Sequence, residues 1–327
     1  MKRLLLLSFV LFGCTNENIT SEKIATNLDT PWSINKHGDS FYISERVGTI
    51  AETTSDGKVI HKEVKLSNDL SNASESGLLG FVLKNDFGDS REAFAYYTYE
   101  QNGESFNRVV TIRQENDTWE EIDIHVDSIP TGNIHHGGRL KIGPDGYLYV
   151  TIGDAGNPSN AQSTTSLNGK ILRMKKDGTF EIYTTGHRNP QGLAWDEDGT
   201  LYEAEHGQSA NDEINRIEQG KNYGYPIIQG TETKAGLESP IITSGDSDTW
   251  APSGITFHKG KLYVTSLRGE AIKVMNVSTG DVERSISGFG RVRDVFSDGE
   301  YIYFVTNNTD GRGSPNNDDD ILYRLKE

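Results

Sequence analysis

The 327-residue chain carries one cysteine, nine prolines and three methionines. A single thiol closes no internal disulfide and builds no cysteine-rich metal cluster. Positive charge is also scarce. The 32 Lys and Arg stand against 48 Asp and Glu, a net charge of −16. So acidic a surface repels a phosphate backbone, which argues against nucleic acid as a partner. Beyond the first dozen residues no run is long and apolar enough to cross a bilayer as a helix. Helical periodicity is nearly absent from the body. Glycine, by contrast, is abundant at 35 residues. With so few prolines it marks many tight turns rather than long helices. The length allows a sizeable core in one large domain or two modest ones.

The N-terminus is built differently. Met1-Lys2-Arg3 is followed by an apolar run from Leu4 to Phe12, too short for a stable span. The run ends at Leu11-Phe12-Gly13-Cys14 and turns polar at once. This resembles a bacterial lipoprotein signal, in which Cys14 is lipidated and becomes the first mature residue. An ordinary secretory signal cut nearby is the alternative. Both readings export the protein, to the periplasmic side or the cell surface. Residues 1–14 are thus expected to be the signal and 15–21 a polar tether. Residues 22–327 form one domain, since no Pro- or Ser-rich linker divides them. Membrane contact is expected through the lipid alone.

The body repeats one pattern: a glycine turn, a short Tyr/Val-rich strand, a polar loop and a second strand. Gly38 leads into Phe41–Ser44, Gly88 into Ala93–Tyr97 and Gly146 into Leu148–Thr151. Gly199 leads into Leu201–Ala204, Gly260 into Leu262–Thr265 and Gly299 into Tyr301–Val305. The mean spacing of about 52 residues suits propeller blades with loop insertions. Six repeats predict an all-β fold, a six-bladed β-propeller, because a lone blade cannot bury both its faces. A strand near Ile24–Asn27 is expected to close the ring. A pair of β-sandwiches would not explain six recurrences.

Four loops carry more polar chemistry than turns require. Asn133 to Leu140 contains His135 and His136, and the nearby strand exit Ile152-Gly153-Asp154 offers a carboxylate. A histidine so oriented is a candidate general base. Thr185 to Gly192 holds Arg188 beside Asn189, which suits an anionic or carbonyl-bearing ligand. Glu203 to Gln208, running on through Asp212-Glu213 to Tyr223, is dense in oxygen donors and suits calcium. Arg268 and the Arg291-Val292-Arg293 run add cations, with Arg291 and Arg293 on one face if extended. Each loop alone also reads as ordinary loop polarity, turn capping or surface ion pairing.

Together they resemble the soluble quinoprotein aldose sugar dehydrogenases of the glucose/sorbosone dehydrogenase family. The resemblance runs from Leu28-Asp29-Thr30-Pro31-Trp32-Ser33 to the last strand. It is carried by Ser76 to Phe81, His135 to Leu140, Gly186 to Gly192 and Glu205-His206-Gly207. Asp212 to Asn215, Asn222 to Pro226 and Arg291 to Val295 extend it. It implies a six-bladed propeller that oxidises aldoses to lactones with PQQ and calcium. His135, rather than His136, would take the anomeric hydroxyl proton while hydride passes to the quinone. Asp154 would orient that base. Arg188 and Asn189 would contact the quinone oxygens, and Arg268, Arg291 and Arg293 would grip the cofactor carboxylates. The carbonyls of Gly207 and Gln208 would hold the cofactor's calcium, and Glu213 and Tyr223 a second, structural calcium.

Some positions depart from the glucose dehydrogenase branch. Glu75 and His206 replace glutamines near the cofactor, Gln208 replaces a proline and Asn307 an aspartate. With the shorter chain, these changes point to the aldose sugar dehydrogenase branch and its broad substrate range. No haem attachment motif is present, so the electron acceptor is expected to be external. Two other readings stay open at this point. One is a calcium-dependent propeller lactonase. The other is a non-catalytic surface propeller that binds sugar or protein.

Overall fold

The computed structural model describes residues 20–54 and 56–326. The signal stretch and Cys14 lie outside the described residues. The described residues are nearly all β, and the two helices among them, Phe87–Ser90 and Ser159–Gln162, are single turns. β1 is Thr20–Ala25. β2 (Pro31–His37), β3 (Ser40–Glu45), β4 (Thr49–Thr53) and β5 (Val59–Lys65) follow. Next come β6 (Leu78–Leu83), β7 (Glu92–Gln101), β8 (Glu104–Glu115) and β9 (Thr118–Pro130). Then come β10 (Gly137–Ile142), β11 (Leu148–Ile152), β12 (Lys170–Met174) and β13 (Phe180–Thr185). The chain continues with β14 (Pro190–Trp195), β15 (Leu201–Glu205), β16 (Glu213–Ile217) and β17 (Ile242–Thr243). The last strands are β18 (Pro252–His258), β19 (Lys261–Ser266), β20 (Ala271–Asn276), β21 (Asp281–Ser287), β22 (Val292–Ser297), β23 (Ile302–Thr306) and β24 (Leu322–Lys326).

These strands make four four-stranded sheets and one of eight. In the eight-stranded sheet β2–β5 and β6–β9 are each antiparallel, and they meet at a short parallel ladder, Glu63–Lys65 against Thr118–Glu120. β1 pairs with β24, so the two ends of the described chain share a sheet. This strand starts at Thr20, inside the stretch expected as a tether, and ends before Asn27. The expected strands fall on the second strands β3, β7, β11, β15, β19 and β23. Their Tyr/Val-rich runs are buried on both faces, which makes them stand out as near-continuous β-prone stretches.

The first strands of successive units touch in turn. β2 packs on β6, β6 on β10, β10 on β14, β14 on β18, β18 on β22, and β22 returns to β2. Apolar clusters fill the spaces between neighbouring units. One joins Trp32, Leu79, Tyr96, Leu140, Val150 and Ile152. Another packs Tyr42, Phe81 and Phe87 around the fully buried Trp119, with the Phe81 and Trp119 rings edge to face at 5.4 Å. Each such side chain contributes roughly 1.5–3 kcal/mol by leaving water.

Glycine permits the closest approaches between first strands. A Cβ on Gly80 would sit 2.1 Å from the Gly138 carbonyl oxygen, and one on Gly254 1.7 Å from Asp294 Oδ1. Each first strand also slips register against its second strand close to its own start. The slips fall at Pro31/Ser33, Leu78/Phe81, Gly137/Leu140, Pro190/Gly192, Pro252/Ile255 and Val292/Asp294. Such bulges re-aim side chains. In each antiparallel pair the start of the first strand lies beside the end of the second, and the polar residues collect there.

Candidate active site

His135 sits two residues before the β10 bulge in a left-handed conformation, φ +62°. Two neighbours hold it. Its backbone N–H donates to Glu75 Oε2 at 3.0 Å, and its Nδ1 lies 2.7 Å from Asp154 Oδ1. Asp154 is itself fixed, since the same oxygen accepts the Gly156 N–H at 2.8 Å and its backbone N–H donates to the Arg188 carbonyl. Gly153 lets this happen, because a Cβ there would lie 1.9 Å from the His135 carbonyl oxygen. With Nδ1–H facing the carboxylate, Nε2 is left as the acceptor. His136 is placed otherwise. It is buried, its Nδ1 pairs with Thr131 Oγ1 at 2.9 Å, and burial pulls its pKa down to about 4.

His135, Glu75, Arg188, Asn189, His206, Gly207, Gln208, Arg268 and Arg291 line one cavity of about 440 Å³. Arg293 lines a narrower recess that adjoins it. Asp154 stands behind His135 rather than in the cavity wall. Asn307 is fully buried, with Nδ2 on Asp310 Oδ2 at 3.0 Å. The arginines are held in different ways. Arg188 donates from Nη1 to the His206 carbonyl at 3.1 Å, and its backbone N–H donates to Glu205 Oε2. Arg291 forks onto Asp310 Oδ2 from Nε and Nη2, at 3.2 and 2.8 Å. Arg293 reaches Gln191 Oε1 at 3.0 Å, and burial together with the neighbouring Arg46 pushes its pKa down to about 9. Arg268 is exposed and its side chain has no partner among the described residues.

Glu75 is an ionised group in this wall. Burial raises its pKa, but the His135 N–H, His206 and Arg312 outweigh that and hold it at about 2. Arg312 donates to Glu75 Oε1 at 3.1 and 3.2 Å and so offsets the charge that a glutamine would not bring. Burial lowers the His206 pKa to about 4 and leaves that ring neutral. The Gly207 turn is pinned by Asp212. Its Oδ1 accepts the Gly207 N–H at 2.8 Å and its Oδ2 accepts the Ala251 N–H at 2.9 Å.

Glu213 and Tyr223 lie outside the cavity wall and share no hydrogen bond. Glu213 accepts from the Gly230 N–H at 3.0 Å, and burial beside Glu205 raises its pKa to about 8. The Tyr223 phenol donates to the Arg216 carbonyl, and its ring stacks on His187 at 5.0 Å.

All four stretches read as loops are partly strand: Gly137–Leu140 opens β10, Pro190–Gly192 opens β14, Glu203–Glu205 closes β15 and Val292–Asp294 opens β22. Arg46, Asp310, Arg312, Gln191 and Trp32 belong to the site but were not singled out in the sequence. Arg46 had a signal. It follows the end of a second strand, as Asp154, His206, Arg268 and Asn307 do. Its guanidinium is anchored on the Ser74 and Ser76 carbonyls.

Residues 28–323 match the family described as Glucose / Sorbosone dehydrogenase. Quinoprotein glucose dehydrogenase B of Acinetobacter calcoaceticus is 31% identical over 68% of this chain, which spans 55% of that relative's length. Aldose sugar dehydrogenase YliI of Escherichia coli is 29% identical over 90% of this chain and 91% of its own. The PQQ-bound aldose sugar dehydrogenase structure from Streptomyces coelicolor superposes with a TM-score of 0.86 at 32% identity, covering 94% of this chain and 98% of that one. On this match, and on the residues gathered around His135, the chain belongs to the glucose/sorbosone dehydrogenase family of oxidoreductases.

Proposed function

We propose that the protein is a PQQ- and calcium-dependent aldose dehydrogenase, built as a six-bladed propeller and forming lactones from sugars. The observation that carries this reading is the His135–Asp154 pair set in the wall of an arginine-lined cavity in a strongly acidic protein. The residues present fit the cofactor. Arg188 Nε, Arg293 Nε, His206 Nε2 and Asn307 Oδ1 are buried and have no partner, so polar groups await a polar ligand. Arg268, Arg291 and Arg293 would meet the three carboxylates, with Arg188, Asn189 and His206 at the quinone edge. The Gly207 and Gln208 carbonyls are hard oxygen donors suited to calcium. When bound, PQQ supplies the two-electron acceptor and calcium the Lewis acid that polarises its quinone.

His135 Nε2 takes the proton of the sugar's anomeric hydroxyl. Asp154 keeps the ring in the productive tautomer and stabilises the imidazolium that forms. Glu75 fixes the backbone from which the ring projects. Arg188, in the cavity wall, would supply positive charge beside the bound acceptor.

The test is reconstitution. The purified domain with PQQ and CaCl2 should reduce a redox dye with several aldoses. No turnover, together with loss of the PQQ spectrum on dialysis, would sink the reading. No helix among the described residues is long and apolar enough to cross a membrane. We also assign Cys14 as a lipid anchor on an exported protein. Replacing Cys14 by Ser should then move the protein from the membrane to the soluble fraction, and unchanged fractionation would refute the anchor.

A further inference from the structure

Behind the Arg188 loop, β15 and β16 bury three carboxylates on one face. Glu205 lies opposite Glu213, and Glu203 opposite Asn215. Like charges facing each other across a strand pair are destabilising. His187 covers this face. His187, Glu203 and Glu205 are 0%, 0% and 2% exposed. No arginine or lysine side chain makes an ion pair with Glu203 or Glu205 among the described residues. In a place so dry, uncompensated charge costs several kcal/mol per ion.

Each of the three residues has one polar atom held and one free. His187 Nε2 is held by Thr184 Oγ1 at 2.8 Å, and its Nδ1 has no hydrogen-bond partner. Glu205 Oε2 accepts the Arg188 N–H at 2.7 Å, and its Oε1 is free. Glu203 Oε2 accepts from Asn215 Nδ2 at 3.1 Å, and its Oε1 is free. His187 Nδ1 and Glu205 Oε1 face each other at 3.5 Å, too far for a good hydrogen bond. One ligand atom from each of the three lies within 4.8 Å of the others. Holding the far atom of every ligand with a hydrogen bond is the arrangement that orients metal ligands.

We propose that His187 Nδ1, Glu203 Oε1 and Glu205 Oε1 bind a divalent transition cation of the zinc or manganese type. Its two positive charges offset the two carboxylates. Asn215 Oδ1, buried beside them and also without a partner, is available as a fourth donor. An imidazole nitrogen suits zinc and the two carboxylates suit zinc or manganese, whereas calcium takes about six to eight oxygens. The site uses neither Glu213 nor Tyr223 and stands apart from the cavity wall. Its role is to clamp β15 to the loop that carries Arg188 and Asn189. The inference does not depend on PQQ, so it can fail while the dehydrogenase reading stands, and the reverse.

The test is metal content without cofactor. The full chain is incubated with ZnCl2 or MnCl2, gel-filtered and analysed for metals. About one equivalent of one of these metals should stay on the wild type. Glu203→Gln keeps the shape and should hold at least tenfold less, with calcium content unchanged. No retained zinc or manganese in the wild type, or equal retention in Glu203→Gln, overturns the site. Should Glu203→Gln misfold, cobalt loading of the wild type decides. Visible absorption of protein-bound Co2+ supports the site, and its absence refutes it.

Discussion

Replacing Asp154 by Asn tests the base assignment most directly. Asp154 Oδ1 accepts two N–H groups, from His135 Nδ1 and Gly156, while its Oδ2 is buried and has no partner. An asparagine oxygen at the Oδ1 position keeps both bonds, and its NH2 then falls at the unpartnered Oδ2 position. The opposite orientation would set NH2 against two donors, so the first is favoured. The productive tautomer therefore survives, and the lost quantity is the carboxylate charge beside the forming imidazolium. A bond to a charged group contributes about 1.5–3 kcal/mol and a neutral one about 0.5–1.5. The mid-range values differ by roughly 1.3 kcal/mol, which corresponds to about a 10-fold fall in kcat. Asp154 does not line the cavity, so KM for the aldose and PQQ affinity should change less than about threefold. The unpaired NH2 should cost about 1–3 kcal/mol of stability. Steady-state dye reduction with PQQ-saturated enzyme measures the first two, and urea unfolding the third. A kcat within twofold of wild type would refute Asp154 as the positioning residue. A fall near 10⁴-fold would show that the tautomer inverts instead.

Other substitutions separate neighbouring roles. His135→Ala should abolish turnover yet still bind PQQ, while His136→Ala, at a buried site bonded to Thr131, should lower the Tm and retain activity. The reverse pattern in the same dye assay would mean that the register is wrong. Arg268→Ala should weaken PQQ binding by about 10- to 100-fold without changing stability, because its side chain supports nothing else. Arg291→Ala should do both, since it removes the cationic partner of the buried Asp310, which keeps only its bonds from Asn307 and the Arg312 N–H. Fluorescence titration and thermal melts distinguish them. Lys170 donates to the Asn160, Ala161 and Asn168 carbonyls, so Lys170→Met should cost about 3 kcal/mol or more in urea unfolding. Burial lowers the Lys170 pKa to about 8, below its unfolded value. Its unfolded form thus binds more protons above pH 8, and its contribution to stability should rise from there toward pH 10.5. A pH-stability curve identical in wild type and Lys170→Met would contradict that.

The second strands were legible because their residues are apolar, β-branched or aromatic, and bounded by glycine turns. Leu148–Thr151 and Leu262–Thr265 are examples. The first strands were not. β10 opens Gly-Gly-Arg and β18 Pro-Ser-Gly, because their task is close approach and bulging rather than bulk. Local propensity cannot register a glycine chosen for the neighbouring sheet. The site divides along the same line. His135, Arg188 and Arg291 stood out as polar residues in short motifs. Arg46 shared only its place after a second strand, and Arg312 not even that, because what places them is a carbonyl pair on Ser74 and Ser76 in one case and Glu75, 237 residues away, in the other.

The net charge of −16 and the arginine-lined cavity fit together once distance is considered. Surface carboxylates are screened within about 8–10 Å in physiological salt, whereas groups in a water-poor recess are not. An anion inside the cavity is therefore governed by the wall. That wall is not simply positive. Arg291 carries Asp310, Arg312 carries Glu75, and Arg188 rests on a carbonyl. Each pairing fixes a guanidinium that would otherwise lose side-chain entropy on binding. It also leaves specific nitrogens, Arg188 Nε and Arg293 Nε, without partners. A rigid tricarboxylate quinone would be favoured by this arrangement, because its carboxylates are attached to fused rings. A flexible anion would gain less, since it could follow mobile arginines equally well. The counter-carboxylates thus favour selection by shape, at some cost in raw attraction.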